Sequence, residues 1–207
     1  MIRENGVISI MRAQSFGELI DAAEAIHAGG LSVIEVTMTT PNALSVITEA
    51  RKRFRDEVLF GAGTVLDAET ARSAILAGAE FIVAPTLSPM TVELCRRYSK
   101  VVIPGCLTPT EILKAWELGA NFVKVFPADL GGPSYIKAIL APLPQILLIP
   151  TGGVTPETTG AFLKAGAAAV AAGSSLVSQD ILDRKDFKLL SERAKLFREE
   201  VVKARVH

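Results

Sequence analysis

The sequence predicts an α/β protein, a compact single-domain (β/α)8 barrel spanning residues 1–207. Three observations carry that prediction. Short apolar runs of strand length alternate strictly with longer amphipathic runs, eight of each, which implies a parallel sheet covered by helices. A helix-end, glycine, strand segment recurs as AGGLSVIEV, AGAEFIVAP, LGANFVKVF and AGAAAVAAG. Its glycines fall at Gly29, Gly78, Gly119 and Gly166, in steps of 49, 41 and 47 residues, one per two strand-helix units. No Ser/Pro-rich linker or shift of composition marks a domain boundary. Eight units with fourfold similarity favour a closed barrel over an open sheet, in a chain short of the roughly 250 residues usual for that fold.

The strand runs are VISIM (7–11), SVIEVTM (32–38), VLFGAG (58–63), EFIVAP (80–85), KVVIP (100–104), NFVKVFP (121–127), ILLIP (146–150) and AAVAAG (168–173). Each is about strand length, and most are rich in Val and Ile. The helical runs follow each strand in turn, from SFGELIDAAEAIHAG to the closing DFKLLSERAKLFREEVVKARV. Asp67, Ser88-Pro89, Thr108-Pro109 and Thr155-Pro156 open four of them as capping residues, with proline in the first turn of three. The repeat glycines Gly78, Gly119 and Gly166 close three of these same runs, and Gly29 closes the first helical run. The charges of the last helix read as a solvated face opposite its Leu/Phe/Val stripe, and His27 as a helix-end residue beside Gly29.

Composition narrows the function. Lys plus Arg and Asp plus Glu are both 22, so the chain has no net charge to recruit nucleic acid. With 49% hydrophobic residues it has ample core material. The most apolar stretch, AILAPLPQILLIP (138–150), is cut by Pro and Gln, so no membrane span is expected, and the N-terminus lacks the pattern of a secretory signal. A cytoplasmic location is expected. Two cysteines, Cys95 and Cys106, and two histidines, His27 and His207, are too scattered for a zinc site.

In a parallel barrel, alternate strand residues face inward and chemistry gathers at the C-terminal strand ends. If Val123 and Val125 face the helices, then Phe122, Lys124 and Phe126 face the interior. Burial lowers a lysine pKa and makes a usable amine nucleophile for carbonyls; the other reading is a structural lysine in a buried ion pair. On SVIEVTM, Val33, Glu35, Thr37 and Thr39 share the inward face. A buried Glu35 has a raised pKa and becomes a general acid/base, or it serves only to pair Lys124. Thr151-Gly152-Gly153-Val154 and Gly173-Ser174-Ser175 end the last two strands, where such barrels often bind phosphate; a glycine pair alone is often only a turn. Gly61-Ala62-Gly63-Thr64 leaves space in the mouth, or only lets strands pack closely, with Thr64 as a hydrogen-bond donor. Pro85 and Pro104 read as structural.

Together these residues resemble the family of 2-keto-3-deoxy-6-phosphogluconate and 4-hydroxy-2-oxoglutarate aldolases. IEVTMTTPNA (34–43), GAGTV (61–65), PGCLTPTE (104–111), VKVFPAD (123–129), PTGGVTPE (150–157) and GSSLV (173–177) carry the resemblance, in order and across nearly the whole chain. The resemblance implies a metal-free, cofactor-free class I aldolase on a (β/α)8 barrel, a homotrimer acting on a phosphorylated keto acid. It implies Lys124 as the Schiff-base lysine and Glu35 as the acid/base. Thr64 and Thr151 fall at the pyruvyl carboxylate and nearby oxygens, Pro85 and Phe126 along the pocket, and Gly152, Gly153, Gly173 and Ser174 at the phosphate. Arg12 falls where a basic residue is common. Two departures stand out: Thr39 occupies a position where some members have Arg, and Met1 to Gly6 leaves room for only a reduced N-terminal helix.

The expected reaction is cleavage of 2-dehydro-3-deoxy-6-phosphogluconate to pyruvate and glyceraldehyde 3-phosphate. The rivals are a sibling aldolase for 4-hydroxy-2-oxoglutarate or the 6-phosphogalactonate epimer, a metal-dependent epimerase whose His and Asp ligands this chain lacks, and a non-catalytic phosphosugar-binding barrel.

Overall fold

A computed structural model of the chain describes residues 1–12 and 16–206, Phe16 by its backbone alone. The chain opens with a four-residue helix α1 (Ile2–Asn5), in line with the short segment ahead of the first strand. There follow β1 (Val7–Met11), α2 (Phe16–Ala28), β2 (Val33–Thr37), α3 (Ala43–Phe54), β3 (Leu59–Gly63), α4 (Ala68–Leu76), β4 (Phe81–Val83), α5 (Pro89–Arg97) and β5 (Val101–Ile103). Then come β6 (Gly105–Cys106), α6 (Pro109–Glu117), β7 (Val123–Val125), α7 (Gly132–Leu140), β8 (Leu148–Pro150), α8 (Pro156–Lys164), β9 (Val170–Ala172), α9 (Gln179–Asp183) and α10 (Phe187–Arg205).

All pairings between these strands are parallel. They form a six-stranded sheet in the order β5-β4-β3-β2-β1-β9 and a three-stranded sheet β6-β7-β8. The expected strand at 100–104 is β5, and a further short strand, β6, follows beyond Pro104, which has no N–H to offer a ladder. A parallel bridge between Thr151 and Ala171 joins the small sheet to β9, and the Ala168 N–H donates to Leu148 O at 2.9 Å.

Each strand is buried on both faces, as parallel strands between helices are. One face, with Val36, Phe60, Val123 and Val125, packs on helix residues such as Ala22, Ile47 and Ile112. The other packs strand on strand: Ile8, Ile10, Phe81, Val83, Ile103 and Ile149 form one cluster drawn from both sheets. Both sheets thus curl around a shared interior.

Helix ends follow the expected chemistry. Asp67, Ser88, Thr108 and Thr155 each accept from the backbone N–H three residues on, and Thr108 and Thr155 do so in capping boxes. The repeat glycines Gly78, Gly119 and Gly166 have φ of 106°, 91° and 104°. In the first copy that position belongs to Gly30 (φ 90°). Gly29 is needed for a different reason, since a Cβ there would stand 2.5 Å from the Ala194 Cβ. Beyond the last turn, α10 returns to the first: Arg198 and Arg205 donate to the Glu4 carbonyl at 3.0 and 2.9 Å, satisfying the end of α1.

Ser9 lies on the helix-facing side of β1, fully buried, and its hydroxyl has no partner among the described residues. A buried unpaired hydroxyl carries its desolvation cost without return. Ser9→Ala is therefore expected to leave the melting temperature unchanged or raise it. A fall of more than about 2 °C, roughly 1 kcal/mol at this size, would show a partner for that hydroxyl.

Candidate active site

Two charged side chains lie on the inward faces of strands from different sheets. Glu35 is the middle residue of β2, opposite Ile10 on β1 and Gly61 on β3. Lys124 is the middle residue of β7, opposite Gly105 and Ile149. Their relative exposures are 2% and 8%, which makes them exceptional among charged residues. Strand alternation is the cause, because Val123 and Val125 turn to the helices and leave Lys124 facing inward.

The two groups influence each other through space, with no hydrogen bond between them. Burial raises the Glu35 carboxyl above its usual range, while the charges of Lys124 and Arg12 pull it partly back. Burial lowers the Lys124 ammonium, Glu35 opposes that shift, and Arg12 adds to it. Lys124 Nζ also stands 4.9 Å from the centroid of the Phe126 ring, which is 40% exposed and so reaches from the buried amine toward solvent. Glu35 Oε2 is sealed from solvent and has no hydrogen-bond partner among the described residues. A buried amine and a carboxylate with an unused oxygen, held apart, are suited to carbonyl addition and proton transfer.

A cavity of about 500 Å³ opens at the C-terminal strand ends; Glu35 and Lys124 do not line it, but Ile10, opposite Glu35, and Phe126, beside Lys124, do. Of the residues singled out in the sequence, Arg12, Phe126, Thr151, Gly152, Gly153, Gly173 and Ser174 all border it. Gly152 and Gly153 have φ of 96° and 67°, and a Cβ on Gly153 would stand 2.6 Å from the Asp129 Cβ. Glycine is thus required there by both backbone and space. Ser175 ties the two glycine turns together by donating to Val154 O at 2.6 Å, and the N-terminus of α8 begins just beyond Thr155. Thr155 and Ser175 border the cavity as well; the Gly-Ser-Ser run was the available signal for Ser175. Glycine-rich turns, a helix N-terminus and Arg12 around one concavity are chemistry suited to an anion.

Thr64 and Pro85 follow β3 and β4, both half-buried, and neither borders that cavity. Thr64 has φ 57°, a left-handed conformation that a β-branched residue rarely adopts and that marks stored strain beside the site. Pro85 is pressed on β6, where a Cβ on Gly105 would overlap its carbonyl. A larger cavity, about 930 Å³, opens at the opposite strand ends, among Ile2, Leu59, Phe122 and Leu147; Glu35 and Lys124 do not border it. Among the described residues no group of three or more His, Cys, Asp or Glu gathers for a metal, and no helix is long and apolar enough to cross a membrane.

The family model described as KDPG and KHG aldolase matches residues 1–192. The chain is 34% identical to the 2-dehydro-3-deoxy-phosphogluconate aldolase of Treponema pallidum over 182 residues, 87% of this chain and 86% of that one. It is 34% identical to the 2-dehydro-3-deoxy-6-phosphogalactonate aldolase of Escherichia coli K12 over 171 residues, 82% and 83% of the two chains. Its structure aligns with KDPG aldolase from Legionella pneumophila, captured with pyruvate as a covalent carbinolamine, at TM-score 0.86 and 30% identity over 92% of each chain. Fold and comparisons together define an aldolase, a carbon–carbon lyase. The chain belongs to the KDPG and KHG aldolase family.

Burial of Glu35 has a stability consequence with a definite sign. A carboxyl raised on folding contributes stability below its unfolded value, about 4.5, and loses that contribution as pH rises through the folded value. Glu35→Gln removes the ionisable group. The variant is therefore expected to gain melting temperature relative to wild type as pH is raised from about 4 to about 8, the window above the unfolded pKa. Parallel melting curves across that range would show that burial does not penalise the Glu35 carboxylate.

Proposed function

We propose that this protein is a class I aldolase that cleaves 2-dehydro-3-deoxy-6-phosphogluconate to pyruvate and glyceraldehyde 3-phosphate. The observation that carries the reading is a buried lysine amine beside a buried carboxylate, with no hydrogen bond joining them. We further propose that the two sheets close into a single-domain (β/α)8 barrel through the Thr151–Ala171 bridge and the Pro104 junction. Such closure puts β2 and β7 around one mouth.

In this scheme the neutral Lys124 Nζ adds to the substrate C2 carbonyl, and the carbinolamine loses water to give an iminium. Glu35 takes the proton of the C4 hydroxyl, directly or through water. The C3–C4 bond breaks, its electron pair enters the iminium to give an enamine, and glyceraldehyde 3-phosphate leaves. Protonation of the enamine at C3 and addition of water then release pyruvate and the free amine. Thr151 and Thr64 serve the pyruvyl carboxylate and nearby oxygens, and Pro85 and Phe126 line the pocket. Gly152, Gly153, Gly173, Ser174 and Arg12 receive the phosphate, a role supported by their common cavity for all five. The iminium is the electron sink, so the scheme needs no metal or organic cofactor. A cytoplasmic homotrimer completes the proposal; Leu66, Leu76, Met90 and Trp116 leave substantial apolar surface for assembly.

The test is steady-state kinetics on three substrates: the 6-phosphogluconate compound, its 6-phosphogalactonate epimer and 4-hydroxy-2-oxoglutarate. The first is expected to show the highest kcat/KM. Lys124→Ala is expected to abolish turnover, and Glu35→Gln to lower kcat by about 10²–10⁴, the usual worth of a positioned acid/base. A higher kcat/KM for either other substrate would move the chain to the sibling activity. Wild-type kcat in Lys124→Ala would overturn the mechanism.

A further inference from the structure

Among the described residues, Glu35 Oε2 has no hydrogen bond to hold it. The atom is buried, so shape must fix its position. That shape comes from β3. A Cβ built on Gly63 would overlap Glu35 Oε1 and Cδ and would stand 2.5 Å from its Cγ, well inside the 3.0 Å that real Cβ atoms keep. The backbone at Gly63 is ordinary strand outside the positive-φ region, so conformation does not demand glycine there. We propose that Gly63 is a positioning residue for the acid–base step, its missing side chain forming the seat of the Glu35 carboxylate. This rests on Glu35 being the acid/base of the proposed reaction.

The Gly63 backbone is held, so the Glu35 side chain is the partner that must give way. Gly63 pairs with Thr37 in the sheet, and its carbonyl accepts from the Met38 N–H at 2.8 Å, so β3 is pinned to the strand that carries Glu35. The neighbouring inward position on β3 is Gly61, but the Phe81 ring already fills its space, with a hypothetical Cβ 2.5 Å from the ring Cγ. On the other side Glu35 faces Ile10 of β1. A methyl group at position 63 therefore moves the carboxylate, and a displacement of about 1 Å in a reacting group costs on the order of 10²-fold in rate.

The experiment is a double-mutant cycle of Gly63→Ala and Glu35→Ala, read by kcat, KM, the pH profile of kcat and melting temperature. Gly63→Ala alone is expected to lower kcat by about 10²-fold, to leave KM within a few-fold, and to shift the limb of the pH profile that reports Glu35. In the Glu35→Ala background, where the overlapping atoms are gone, adding Gly63→Ala is expected to change the residual kcat by less than about twofold. Equal losses in both backgrounds, or wild-type kcat and pH profile in Gly63→Ala, would overturn the proposal. If Gly63→Ala does not fold, the double variant is expected to melt near Glu35→Ala, and its failure to do so would also overturn it. A wild-type protein that cleaves none of the three substrates would defeat the aldolase assignment instead; the melting comparison would still decide whether Gly63 seats Glu35.

Discussion

A lysine amine and a glutamate carboxylate share one apolar interior without forming a hydrogen-bonded ion pair. Direct pairing would stabilise both charges and leave neither a nucleophile nor a base. Isolation in the core would drive both to their neutral forms. The structure holds them between these limits. Each feels burial first and the other's charge second, and Arg12 lowers the proton affinity of both. Keeping that separation is the demand on the rest of the molecule.

Topology meets it by placing the two groups on different sheets. Glu35 stands on β2 in the middle of the six-stranded sheet, Lys124 on β7 in the middle of the three-stranded one. Their backbones are fixed by ladders on both sides, so neither can drift toward the other. Packed helices outside and the strand-on-strand cluster inside hold the curvature that turns both side chains to the same interior. Glycines then set the details. Gly61 admits Phe81, Gly63 admits Glu35, and Gly153 lets the turn after β8 pass Asp129. Thr64, held at φ 57° just past Gly63, shows that local backbone comfort is given up where the site begins.

Much of this was readable in the sequence because its causes are local. Period-two alternation along NFVKVFP and SVIEVTM is enough to turn Lys124 and Glu35 away from the helices. Asp67, Ser88, Thr108 and Thr155 announce helix starts through their own side chains. What could not be read depends on contacts between distant segments or on residues acting against type. Ser99 and Lys185 end helices at φ 52° and 54°, where a glycine would have marked the turn. In the first repeat Gly30, rather than Gly29, takes the left-handed position; the pair looks the same until α10 is seen packed against Gly29. The five-residue α9 is too short for a periodic signal. The spacing Gly-x-Gly in GAGT hinted at close packing, but only the fold says that a carboxylate fills one of the gaps.

The measurement that goes most directly to the centre of this account is borohydride reduction in the presence of pyruvate, followed by mass spectrometry of the digested protein. An unpaired, partly desolvated amine at position 124 predicts a stable pyruvyl adduct on the peptide that contains Lys124, dependent on pyruvate. No adduct, or an adduct carried by a different lysine, would contradict it.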